Sequence, residues 1–104
     1  MKFGLSDITI QEMRSAFQKF NKIEKAVLFG SRVKGSHSPG SDIDIAIFGK
    51  EISFNEFLSI KIELDELDLL NKIDLVHFET IENPDFIDHI NRVGVILYDR
   101  KTVE

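Results

Sequence analysis

Helices packed on a small mixed sheet of about four strands, an α+β (α/β) sandwich, is the fold that three features of the sequence predict. Apolar stretches of helical period alternate with short β-rich runs in the order α-β-β-α-β-α-β. The first two β runs are separated only by a loop rich in glycine and serine, so no long helix intervenes there. At 104 residues the chain has the size of one domain, taken as 1–104, with enough apolar residues for one core. A hydrophobic share of 42% and a charged share of 30% are those of an ordinary soluble protein and set aside disordered and collagen-like classes.

Residues 6–20 place Ile10, Met13, Phe17 and Phe20 three or four apart behind Ser6 as N-cap, an amphipathic helix with one buried face. Residues 23–29 grow apolar toward their end, as a strand entering a core does, and Gly30-Ser31 closes them. Residues 30–41 hold three Gly, four Ser and the pair Pro39-Gly40, which predicts a loop with one helical turn near Arg32. Residues 42–48 form the next strand, with Ile43, Ile45 and Ile47 on one face and Asp42, Asp44 and Ala46 on the other.

Ser53-Phe54-Asn55-Glu56 matches a capping box. Phe57, Ile60, Leu64 and Leu67 carry the apolar stripe of that helix to about residue 70, with acidic residues on the solvated face. Residues 73–78 alternate Asp74, Val76 and Phe78 with Ile73, Leu75 and His77, largely apolar on both faces, which predicts a strand inside the sheet. Asn83-Pro84 opens a short helix that ends at Gly94, and residues 95–98 make the last strand.

The absence of Cys removes disulfides, thiolate metal sites and cysteine nucleophiles, and fits a reducing cytoplasm. No window approaches the roughly 20 apolar residues of a membrane span, and residues 1–7 lack the apolar core of a secretory signal. A net charge of −5 and a pI of about 5.2 argue against a polynucleotide partner. Basic residues nevertheless lead between Arg14 and Lys34, while residues 61–68 are acidic, so a small anion near the first region is the better match.

The chemistry concentrates between Gly30 and Ile45. A glycine turn follows a strand, amides and hydroxyls are exposed in the next turn, and two carboxylates, Asp42 and Asp44, sit two apart on one face of the following strand. Such carboxylates repel unless a positive charge lies between them, and Mg²⁺ favours carboxylate oxygens completed by substrate phosphates. Gly30 allows close backbone approach, and the Ser31 N–H and hydroxyl are suited to phosphate oxygens. Plainer roles exist for each residue. Asp42 is also a natural strand-start Asp, Asp74 a natural strand-edge ion pair, and Arg32 and Lys34 solvated surface charges. Asp44, inside Ile-Asp-Ile-Ala-Ile, is the hardest to place without a partner. His77 suits a packed strand position, His37 and His89 exposed or structural ones, and Tyr98 the core.

Gly30-Ser31, the ten residues Arg32 to Ser41, and Asp42-Ile43-Asp44 resemble the Gly-Ser, ten residues, Asp-x-Asp pattern of the nucleotidyltransferase superfamily with the DNA polymerase β-type palm, and within it the minimal nucleotidyltransferases (MNT). Chance would produce that pattern in a chain this long on the order of once in a thousand. Asp74 sits where that family carries a third acidic residue on a later strand.

The resemblance implies that Asp42 and Asp44 bind two Mg²⁺ ions, with Asp74 as a further ligand or as general base. It implies attack of a hydroxyl on the α-phosphorus of a nucleoside triphosphate, ATP by family expectation, with the ions activating the hydroxyl and neutralising the leaving pyrophosphate. Ser31 would grip the β- and γ-phosphates, Arg32 or Lys34 would add charge, and Ser41 would contact phosphate or fix the strand start.

MNT proteins are typically paired with a helical HEPN protein, often a ribonuclease toxin, and the resemblance leads us to expect in these 104 residues a palm without a second acceptor-binding domain. The resemblance therefore implies an antitoxin that transfers AMP to a Tyr hydroxyl of its toxin. Two alternatives stay open: a non-catalytic module that masks its partner stoichiometrically, and transfer to a small hydroxylated molecule held with a helical subunit. Pairing of the chain with itself is a further possibility, since its 9 Phe leave room for an apolar interface patch.

Overall fold

A computed structural model of the chain describes residues 2–67 and 69–102. The elements are α1 (Asp7–Gln18), β1 (Lys25–Phe29), the single turn α2 (Ser31–Lys34), β2 (Ile43–Phe48), α3 (Phe54–Asp65), β3 (Ile73–His77), α4 (Pro84–Val93) and β4 (Val95–Asp99), with 3-10 turns at Phe78–Thr80 and Arg100–Thr102. The strands form one mixed sheet in the order β3-β2-β1-β4. β1 runs antiparallel to both β2 and β4, while β2 and β3 are parallel, joined across α3.

Strand alternation splits the apolar residues between two faces. Leu28, Ile43, Ile45, Ile47, Ile73 and Leu75 pack with Ile10, Met13 and Phe17 of α1 and Ile60 and Leu64 of α3. On the opposite face Val27, Phe29 and Ala46 pack with Ile90 of α4, bordered by Phe86 and Val93. One face therefore carries two helices and the other carries one.

The helix starts follow their caps. The Ser6 hydroxyl accepts from the Thr9 N–H at 3.1 Å, Ser53 and Glu56 complete both halves of the capping box, and the Asn83 side chain accepts from Asp85 and Phe86 N–H ahead of Pro84. The register of β1 against β4 shifts between Ala26 and Val27, leaving Leu97 without a Cα partner. The Leu97 carbonyl accepts from Arg14 Nε at 2.6 Å, so a group displaced from the ladder by this bulge stays satisfied.

Three expectations change. β3 lies at the edge of the sheet, not inside it. Both of its faces are apolar because both are covered: Ile73 and Leu75 join the α1–α3 side, Val76 and Phe78 the α4 side. Covering helices and hydrogen-bonded neighbours are independent, and apolarity reports only the former. α3 ends at Asp65 rather than near residue 70. Its last turn contains acidic and no basic side chains, the wrong sign for a helix C-terminus, and Leu67 and Leu69 pack back onto the core outside the helix. Finally, the solvated face of α3 is not only acidic, since Phe54, Leu58 and Ile62 are exposed on it.

Candidate active site

β1 is followed by Gly30, whose φ of 84° and ψ of −154° lie in a region that only glycine occupies readily. A Cβ at this position would collide with the Asp44 carboxylate. The glycine thus permits both the turn into α2 and the close seating of Asp44 against the backbone. Ser31 follows at the start of α2, half-buried, and Gly35 closes that turn with φ 79°. Lys34 is exposed on the same turn.

The strand register assembles the carboxylates. Asp44 is the Cα partner of Phe29 across β1–β2 and of Asp74 across the parallel β2–β3 pair. Asp42 lies two residues before Asp44, which puts all three acids on the α4 side of the sheet, at the end α4 leaves open. Asp42 and Asp74 are exposed and Asp44 is half-buried. Burial first, then Asp74 and Asp42, push the Asp44 carboxyl above its usual value, while the Arg32 guanidinium opposes them. Like charges paired directly across strands oppose sheet stability, so this arrangement is one that a bound cation would relieve.

Arg32 is neither a solvated charge nor open to a phosphate. It is 2% exposed, and its guanidinium donates from Nε to Asp42 O at 3.2 Å, from Nη2 to Ser41 O at 2.8 Å and from Nη1 to Phe3 O at 2.9 Å. Five donors in a fixed fork suit a guanidinium to several carbonyls at once. Of the two basic residues named from the sequence, Lys34 alone stays in the solvent. Ser41 acts on the loop: its hydroxyl accepts from the Ser38 N–H at 2.9 Å, and its carbonyl accepts from Asn71 Nδ2 at 3.1 Å as well as from Arg32.

Asn71 also donates to Pro39 O at 2.6 Å and thereby ties the loop to the start of β3. Neither Asn71 nor Phe3, whose carbonyl Arg32 reaches, was among the candidate site residues read from the sequence. The available signal was polar residues in predicted turns, which is too common to single them out. His77 is buried, with Nε2 2.8 Å from Gly49 O and 3.3 Å from Glu79. His89 lies on α4 with its ring edge-on to Phe29, centroids 6.3 Å apart.

Among the described residues no three acidic or histidine side chains form a ready-made cage for an ion. The donor set fits a different kind of site, in which one or two carboxylates hold a hard divalent cation and phosphate oxygens complete its shell. Asp42 and Asp44 supply such oxygens next to the Gly30-Ser31 turn, and Asp74 stands across from Asp44.

Residues 11–103 match the nucleotidyltransferase domain of the polymerase β type, and the chain belongs to that family of nucleotidyltransferases. "Probable protein adenylyltransferase MntA" of Haemophilus influenzae is 38% identical over 78 residues, which span 73% of this chain and 68% of that protein. Among solved structures, a toxin-antitoxin complex with AMP-PNP superposes with a TM-score of 0.70 at 21% identity, covering 88% of this chain and 74% of the other. A chain from the complex of a tri-AMPylated Shewanella oneidensis HEPN toxin with its MNT antitoxin superposes with a TM-score of 0.67 at 18% identity, covering 93% and 75%. At these identities the structural likeness shows the fold, a four-stranded mixed sheet with helices on both faces. No helix among the described residues is long and apolar enough to cross a membrane.

Proposed function

We propose that this chain transfers AMP from ATP, with Mg²⁺, to a tyrosine hydroxyl of a HEPN-type helical partner and so acts as the antitoxin of a toxin-antitoxin pair. The observation that carries the reading is that Asp42, Asp44 and Asp74 share the α4 side of the sheet beside the Gly30-Ser31 turn, Asp42 and Asp74 exposed and Asp44 half-buried. The relative from Haemophilus influenzae is named a protein adenylyltransferase, and the structural neighbours include an MNT antitoxin bound to an AMPylated HEPN toxin, which supports the acceptor class.

In this reading Asp42 and Asp44 would hold Mg²⁺, two ions in the proposed arrangement, and the metal would supply Lewis-acid activation of the hydroxyl and charge neutralisation at the leaving group. Ser31 donates to the β- and γ-phosphate oxygens through its N–H and hydroxyl, and Lys34 adds positive charge there. The acceptor oxygen forms a bond to the α-phosphorus as the bond from that phosphorus to the α–β bridging oxygen breaks. Pyrophosphate leaves with the electron pair of the broken bond, and the hydroxyl proton passes to Asp74 or to water. With Asp42 and Asp74 exposed on that side, there is room for a partner to bring the acceptor. The setting is cytoplasmic, where nucleoside triphosphates are held.

The test is transfer of label from α-phosphate-labelled ATP to the co-expressed HEPN partner, with Asp44→Asn as control. One labelled protein band, lost in the variant and mapped to a tyrosine by mass, is expected. Label confined to small molecules would replace the acceptor. Absence of transfer from any of the four nucleotides, together with neutralisation by Asp44→Asn equal to the unsubstituted chain, would replace the enzyme with a stoichiometric binding module.

A further inference from the structure

We infer that Arg32 and the Lys2–Leu5 turn form a clamp that positions Asp42 for cation binding, with Arg32 as a positioning residue and not a phosphate ligand. The inference rests on the proposal that Asp42 and Asp44 hold the cation.

The two peptide carbonyls that bracket the Asp42 amide and side chain, those of Ser41 and Asp42, both accept from the Arg32 guanidinium. The third carbonyl it reaches belongs to Phe3, 29 residues earlier. That residue has φ 55°, the single positive φ among the described non-glycine residues, and Gly4 follows with φ 73°. Two positive φ values in succession make a tight reversed turn, closed by Lys2 N–H to Leu5 O at 3.1 Å and Leu5 N–H to Lys2 O at 2.8 Å. Leu5, 3% exposed, anchors the turn in the core. A Cβ on Gly4 would lie 2.8 Å from Arg32 Nη1 and 2.6 Å from His37 Nε2, so glycine lets the turn close down on the guanidinium. The turn precedes residues 11–103, the part that matches the family.

Physical need and arrangement agree. Asp42 and Asp74 both repel Asp44, and Asp42 sits at the end of a loop with no regular structure between Gly35 and Ser41. An unrestrained loop would swing Asp42 outward and would have to be ordered again each time an ion bound. Fastening the Ser41 and Asp42 carbonyls to a buried guanidinium, itself braced on Phe3 O, removes that freedom in advance.

Arg100 provides the internal control. It also donates to two carbonyls, Ile23 O at 3.0 Å and Phe20 O at 2.8 Å, but these lie at the opposite end of β1 from Gly30. The experiment is Mn²⁺ binding followed by electron paramagnetic resonance, on the full chain with a non-hydrolysable ATP analogue. It compares wild type, Arg32→Lys, Gly4→Ala and Arg100→Lys, each first shown to be folded by circular dichroism. Partners behind metal ligands typically contribute ten- to hundredfold in affinity, so Arg32→Lys is expected to weaken Mn²⁺ binding about tenfold or more. Gly4→Ala should shift it in the same direction by less, and Arg100→Lys should lower Tm while leaving binding within about twofold. Wild-type binding matched by both Arg32→Lys and Gly4→Ala overturns the clamp alone. Absence of Mn²⁺ binding by the wild type overturns the cation assignment of Asp42 and Asp44 as well. If Arg32→Lys does not fold, Gly4→Ala decides between the first two outcomes.

Discussion

The two faces of β2 divide the work of one strand. Toward α1 and α3 it presents Ile43, Ile45 and Ile47, each no more than 1% exposed. Toward α4 it presents Asp44, half-buried, then Ala46, fully buried, with Asp42 exposed just before the strand. α4 covers Ala46 and its β1 neighbours Val27 and Phe29 but not the carboxylates. The larger apolar cluster lies where two helices meet the sheet, and the three carboxylates lie on the side that carries one helix. The difference teaches that the second face is held in a less favourable state than its residues would choose by themselves, because Asp44 is partly desolvated among like charges.

The sharpest separation of the faces is Asp44→Asn. On the proposed role of Asp44 as a cation ligand, loss of its carboxylate oxygen should lower AMP transfer about a thousandfold or more. In the absence of metal the same change should raise Tm by a few degrees, since the amide carries no charge to bury or repel. The sign follows from the raised carboxyl: the ionised form is disfavoured in the folded chain, so the wild type loses stability as pH rises from the usual value of 3.8 through the raised one. The advantage of Asp44→Asn should therefore be present at neutral pH and vanish below about pH 3.8. Denaturation curves with chelator across that range measure it. A variant that is both inactive and less stable at pH 7 would show that Asp44 is structural.

Ile45→Ala applies the opposite test to the neighbouring residue. Ile45 is 0% exposed in the α1–α3 core, and such a truncation should cost about 2–5 kcal/mol in urea denaturation. Transfer by the fraction that remains folded at low temperature should stay within about twofold, because the carboxylates face the other way. Gly30→Ala stands between these two. Its backbone conformation should cost about 1–3 kcal/mol, and its Cβ would also push Asp44 aside, so stability and transfer should fall together. If Ile45→Ala reduced transfer as deeply as Gly30→Ala, the two faces would not be separable.

The same contrast explains what was legible in the sequence. Caps, stripes and alternation depend on residues within a few positions, and Ser6, Ser53 and Asn83 start their helices where those patterns place them. The Gly30-Ser31 turn and Asp42-Ile43-Asp44 are equally local. The edge position of β3 was not legible, because covered faces and paired edges leave the same apolar run. The burial of Arg32 was not legible either. It depends on the Phe3 carbonyl, 29 positions away, and on a loop tied by Asn71, 30 positions beyond Ser41. Nothing near Arg32 in the chain distinguishes a guanidinium that meets backbone from one that meets a ligand.

Ser53→Ala is the smallest change and the finest probe of the division. The Ser53 hydroxyl accepts from the Glu56 N–H at 3.1 Å and the Glu56 carboxylate accepts from the Ser53 N–H at 3.2 Å. The substitution removes the first bond and leaves the second, and the loss of an N-cap side chain costs about 1 kcal/mol. The two halves are coupled through Glu56, because the Ser53 N–H, then Lys22, then the Ser53 side chain hold its carboxyl below the usual value of 4.5. Each of these contributions is present above pH 4.5 and fades as acid protonates the group, the share that the Ser53 hydroxyl adds included. The stability gap between Ser53→Ala and wild type should thus narrow as pH falls below 4.5, while both chains weaken. Because α3 packs on the isoleucine face, Mn²⁺ binding and AMP transfer should be unchanged within about twofold. A larger effect would mean that strain at the start of α3 reaches Asp44 through β2, and that the strand transmits between faces it otherwise keeps apart.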